Sequence, residues 1–117
     1  MYYTDIAISK FHSCNAHIEH YMDMEMFVSY TTPIAIISYD TSYCAHLYVS
    51  SSFDCSVTTR NQFSRWLREH GLNYYDVKDA PRDKSPHRAI QGPCVIRCGF
   101  TRTELERIFN SEQPLTC

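Results

Sequence analysis

Two stretches of the chain carry helical spacing. Phe63, Trp66 and Leu67 fall at i, i+3 and i+4, which predicts a helix over 59–70 with that stripe turned inward. Thr59 and Gln62 have the spacing of a capping box, and Gly71 supplies the left-handed position that ends helices. Residues 101–110 repeat the logic, with Thr101 and Glu104 as the box and Leu105, Ile108 and Phe109 as the stripe. Upstream of the first helix the period changes to two. Residues 33–38 read as a strand, 39–42 as a turn and 44–50 as a second strand. In that second strand Ala45, Leu47 and Val49 share one face, while Cys44, His46 and Tyr48 share the other. Ser51 and Ser52 begin a turn, and residues 55–58 read as a short third strand that leads into the helix. Residues 27–30 extend the first strand beyond Pro33, which places Pro33 at an edge or a bulge.

Toward the ends, residues 3–8 read as a strand and 13–22 as a short helix with Ser13 or Asn15 as its cap. Residues 76–93 are charged and proline-bearing and read as an exposed loop, and residues 94–96 as one more short strand. The expected architecture is α+β: one domain over 1–117, built as a small antiparallel meander against the Trp66 helix and completed by a C-terminal helix.

Composition narrows the function more than the fold. The 117 residues contain only Gly71, Gly92 and Gly99 as glycines, so neither a P-loop nor a dinucleotide fingerprint is present. No run of about 18 apolar residues exists, which excludes a membrane-spanning helix in the sequence pattern. The N-terminus lacks a basic, then long apolar, secretory pattern, so a cytosolic location is expected. In that compartment Cys14, Cys44, Cys55, Cys94, Cys98 and Cys117 are expected as free thiols or metal ligands. The formal net charge is -2, unevenly spread: residues 1–59 hold one base and six acids, residues 60–117 ten bases and seven acids. This asymmetry permits a basic face near Arg60, Arg65, Arg68, Arg82, Lys84 and Arg88.

Three constellations carry candidate chemistry. The run His12, Cys14, His17, His20 is rich in zinc-type donors, and Cys94 and Cys98 are spaced four apart. The ligand set for a structural zinc would be Cys14, His17, His20 and Cys98, if metal rather than core and surface packing explains them. A Cys–His hydrolase pairing of Cys14 or Cys44 with a local His is weakly supported, because catalytic partners are usually remote in sequence. No enzymatic activity is expected. Nine tyrosines exceed what one small core needs, and Tyr is favoured at interfaces. The candidate partner-binding set is Tyr39, Tyr43, Tyr48, Tyr74, Tyr75, Arg82, Lys84 and Arg88.

Residues 29–37 (Ser-Tyr-Thr-Thr-Pro-Ile-Ala-Ile-Ile), then 56–63 (Ser-Val-Thr-Thr-Arg-Asn-Gln-Phe) with Trp66 and Leu67, form two ordered motifs across about residues 27–72. They resemble a small domain of uncharacterised function encoded by phages, plasmids and their bacterial hosts. Many members of that type carry a His shortly after the Thr-Thr pair, where Gln62 or Phe63 stands here. The resemblance implies a phage or mobile-element accessory protein that acts stoichiometrically in the host cytoplasm. It would bind a host protein such as a CRISPR effector nuclease, in the manner of anti-CRISPR inhibitors. The alternative is a small nucleic-acid-binding regulator using Arg60, Arg65, Arg68 and Arg88, with or without zinc; the net negative charge weighs against it.

Overall fold

Period-two burial begins earlier in the chain than the middle strands suggest. In the computed structural model, which describes residues 7–11, 13–39, 44–89 and 94–111, five successive strands form an antiparallel meander. They are β1 (Ala7–Phe11), β2 (Ser13–Tyr21), β3 (Met24–Ser29), β4 (Thr32–Tyr39) and β5 (Ala45–Ser50). Helix α1 (Val57–Glu69) and the short α2 (Tyr74–Asp79) follow, then a two-residue strand β6 (His87–Arg88), β7 (Cys94–Phe100) and α3 (Arg102–Ser111). The seven strands make one sheet in the order β1-β2-β3-β4-β5-β7-β6. β7 lies parallel to β5, so the chain needs a long crossover between them, and α1 with α2 supplies it. The fold is α+β with a mixed sheet, the meander forming its larger part.

The pleat sorts the side chains into two cores. On one face Phe27, Ile34, Ala35, Ile37, Leu47, Val49, Ile96 and Cys98 meet Phe63, Trp66 and Leu67 of α1 and Val77 of α2. Phe27 is its centre: its ring lies 5.3 Å from Phe11, 5.5 Å from Trp66 and 6.2 Å from Phe63. On the other face Met24, Met26, Val28, Ile36 and Phe100 meet Leu105 and Phe109 of α3.

Several sequence expectations change. Residues 13–22 form β2 and not a helix: Ala16 and Ile18 are buried two apart, and pairing with β1 and β3 satisfies the backbone on both sides. Residues 27–30 do not continue the strand through Pro33; the chain reverses at Tyr30 and Thr31, and β3 pairs antiparallel with β4. Pro33 lies on an interior strand, at the bulge where the register shifts between Phe27 and Val28. Residues 55–58 are not a strand, because Ser56 caps α1 by accepting a hydrogen bond from the Thr59 amide at 3.1 Å. The helix therefore starts before the expected Thr59–Gln62 box. Those two side chains instead meet Ser29 of β3, whose Oγ lies 3.0 Å from Thr59 Oγ1 and donates to Gln62 Oε1 at 3.1 Å. The box at Thr101 and Glu104 does form: Thr101 N–H donates to Glu104 Oε1 at 2.9 Å, and Glu104 N–H to Thr101 Oγ1 at 3.2 Å.

The segment expected as a loop over 76–93 is instead partly helical, pinned and partly paired. Arg82 donates to Asp54 at 3.1 Å and lies 4.6 Å above the Phe53 ring. Lys84 donates to Glu104 at 2.5 Å, and its backbone N–H to the Cys98 carbonyl at 2.8 Å. Phe53 belongs to one core and Phe100, under Lys84, to the other, so three residues bridge both layers. Gly99 makes the crossing possible. At φ +105° it sits where a Cβ would lie 2.4 Å from the Arg82 carbonyl oxygen. Residues 40–43 and 90–93 lie outside the described residues, as do 1–6, 12 and 112–117.

Candidate docking face and part-buried polar relay

Helix α2 begins where Asn73 Oδ1 accepts the Tyr75 amide hydrogen bond at 2.8 Å. Adjacent helical residues diverge by about 100°, so one tyrosine turns in and the next turns out. Tyr74 packs edge-on against Phe53 at 5.9 Å and Phe63 at 6.4 Å; Tyr75 is 65% exposed. Burial and the charge of Asp54 push the Tyr74 phenol above its ordinary pKa, against the opposing Arg60 and Arg82 guanidinium groups. Arg60, Ser64 and Arg68 recur every four residues along α1, on the side that meets α2. Ser64 Oγ accepts from Arg68 at 3.2 Å, and a shallow depression of about 220 Å³ opens among Ser64, Arg68, Leu72, Asn73 and the two tyrosines. Arg65 and Asn61 stand exposed on the outer surface of the same helix. This face combines arginines with one presented ring and one anchored ring.

The other end of α1 holds a polar relay. Glu25 Oε2 accepts from Trp66 Nε1 at 2.6 Å and from His70 Nε2 at 2.9 Å, while His20 Nδ1 lies 3.7 Å from Oε1. The other ring nitrogen of His70, Nδ1, lies 3.2 Å from the Tyr39 hydroxyl. Ser9 Oγ meets His20 Nε2 at 3.3 Å. Burial by itself raises the Glu25 pKa, but the His70 and Trp66 hydrogen bonds, with the charges of His70 and His20, outweigh it and hold the carboxyl below its ordinary value. Burial, Glu25 and Cys94 all raise the Tyr39 phenol, so Tyr39 stays a donor at neutral pH. Chemically this is a carboxylate fixing an imidazole tautomer, as in a catalytic triad, but its donors and acceptors satisfy one another. Sequence reasoning missed Glu25 and His70; the available signal was an acid inside the otherwise apolar run of residues 24–28.

The candidate docking residues do not share one surface. Tyr74, Tyr75 and Arg82 belong to the α1–α2 side, whereas Tyr48 lies edge-on to Phe100 at 5.7 Å on the α3 side with Lys84. Tyr39 ends β4 in the relay, Arg88 stands on the β6 edge, and Tyr43 lies outside the described residues. The candidate metal ligands are likewise dispersed. His17 faces α3 and bonds Glu19 at 3.0 Å; His20 faces α1, as residues three apart on a strand must take opposite faces. Cys98 is buried on β7, four strand spacings or about 19 Å from β2. The Cys14 side chain lies outside the described residues. Among the described residues no group of three or more His, Cys, Asp or Glu side chains is placed to hold a metal ion. Burial pushes the Cys94 and Cys98 thiols up to about 11, so both are protonated at neutral pH.

No described helix is long and apolar enough to cross a membrane. Comparison of the chain with protein-family models, with curated proteins and with solved structures returns no match, so the functional reading rests on the chain's own residues.

Proposed function

We propose that the protein is a non-catalytic binding module that inhibits a host defence nuclease by occupying its surface, in the style of mobile-element accessory proteins such as anti-CRISPR inhibitors. The observation that supports this most directly is the α1–α2 face. Tyr75 is exposed beside an arginine-bordered depression, and its neighbour Tyr74 is anchored in the core. Tyr and Arg are the residue types that dominate binding hot spots, and an anchored ring presents contact area at low entropic cost. The partner surface would be acidic, to match Arg60, Arg65 and Arg68.

The test is inhibition of a purified CRISPR effector nuclease with co-elution on gel filtration. Cleavage should fall linearly and reach its end point at one inhibitor per nuclease. The pair Tyr75→Ala and Arg68→Glu should weaken inhibition by at least about tenfold, roughly 1.4 kcal/mol, without unfolding the chain. Full inhibition at a small fraction of the nuclease concentration would mean turnover and overturn the reading.

A second reading has one observation in its favour: three arginines and one carboxylate, Glu69, on α1 lie near an exposed ring, which suits single-stranded nucleic acid. It requires affinity that falls steeply with salt, and absence of binding at about 50 mM salt disposes of it.

A further inference from the structure

Across the sheet from the α1–α2 face, α3 covers the strands incompletely. A cleft of about 470 Å³ remains between β2, β3, the β3–β4 turn and α3 from Arg102 to Asn110. This falls within the usual range of small-ligand sites, about 300–1,000 Å³. Its floor is apolar, formed by Met26, Val28, Pro33 and Phe109, all buried.

Its charged groups are Glu19, Glu106, Arg102 and His17. His17 Nε2 occupies Glu19 Oε2 at 3.0 Å, and Arg102 Nε occupies Glu106 Oε2 at 3.2 Å. In both pairs the engaged oxygen is Oε2. The lining thus sets two carboxylates against one guanidinium and one imidazole.

The third element is Tyr30, which lines the mouth and is 54% exposed. Its backbone sits at φ +57°, a left-handed conformation that bulky residues rarely adopt and that costs about 1–2 kcal/mol. Glycine or asparagine would serve this two-residue turn without strain. Strain held at an aromatic residue on the rim of a cleft is the kind retained for binding.

From these observations we infer that the cleft binds a small organic cation with an apolar body, an arylalkylamine. The hydrocarbon lies on Met26, Val28 and Phe109, the Tyr30 ring covers it, and the ammonium donates to Glu19 and Glu106. An anion of the same shape meets two carboxylates whose basic partners are already engaged. This site is separate from the docking face and does not depend on the inhibitor reading.

The test is an amide NMR titration with phenethylammonium and, as its charge-inverted near-isostere, 3-phenylpropanoate. Phenethylammonium should shift the amides of Tyr30, Thr31 and Asn110 saturably, and the propanoate should bind at least about tenfold more weakly. Tyr30→Gly should retain or raise the unfolding midpoint, because it relieves the backbone, yet weaken the amine at least about threefold through loss of the ring. Glu19→Gln should also weaken the amine while leaving propanoate binding equal or stronger. Equal affinities for the two ligands, no saturable shift up to about 10 mM amine, or full amine affinity in Tyr30→Gly would overturn the proposal.

Discussion

On one face of the sheet, α1 and α2 lay Phe63, Trp66, Leu67 and Val77 against Phe27 and the interior strands, and the polar ends of that layer are tied down by Glu25, His70 and Thr59. On the other, α3 alone brings Leu105 and Phe109 to Met24, Met26, Val28 and Ile36, and a cleft stays open beside it. Stacked rings and satisfied polar ties on the first face indicate a layer built for rigidity. Methionines, one short helix and a strained tyrosine on the second indicate a layer with room to accept something. The difference sets a tightly tied layer and an open cleft on opposite sides of one sheet.

Matched truncations test that contrast most severely. Phe27→Ala removes a ring fully enclosed by three others and should cost about 4–5 kcal/mol in urea unfolding. Phe109→Ala should cost about 3 kcal/mol, because the space it leaves opens into the cleft and relaxes more readily. Equal losses would dissolve the distinction. Gly99→Ala acts where the two layers are joined: the forced left-handed backbone and the clash with Arg82 should cost about 2–3 kcal/mol. Gly71→Ala, with the same sign of φ but open space around its Cβ, should cost about 1 kcal/mol, measured the same way.

Glu25→Gln should cost about 1–2 kcal/mol at neutral pH through weakened bonds to His70 and Trp66. Because the folded pKa of Glu25 lies below its ordinary value, its contribution is complete above the ordinary carboxylate range and disappears as pH falls through the lower folded value. The wild-type chain should therefore lose stability over that acid interval more steeply than Glu25→Gln. Trp66, the sole tryptophan, reports both transitions by fluorescence. The smallest effect belongs to Tyr75→Ala, under about 0.5 kcal/mol, since the ring is mostly in solvent.

The elements legible in the sequence were those whose signals are local. Thr101, Glu104 and the Leu105–Ile108–Phe109 stripe specify α3 within ten residues, and alternation at Ala45, Leu47 and Val49 gives β5 its inward face. The helix expected over residues 13–22 rested on Ser13 or Asn15 as a cap, whereas the burial of Ala16 and Ile18 two apart marks the strand β2. The parallel pairing of β5 with β7 left no local trace, as it depends on contacts between residues about fifty apart. The same holds for the candidate sites. Glu25 meets Trp66 and His70, and His17 joins α3 across the cleft, only after distant strands assemble.

That parallel pairing also dictates the order of events during synthesis. The meander can close as soon as residue 50 has emerged, but β5 keeps a bare edge until the polypeptide beyond residue 94 is made. Over that interval a row of unmatched amides and carbonyls, backed by Leu47 and Val49, is open to strand addition from another nascent copy. Premature termination in the crossover would thus yield a sticky fragment and not a smaller working protein.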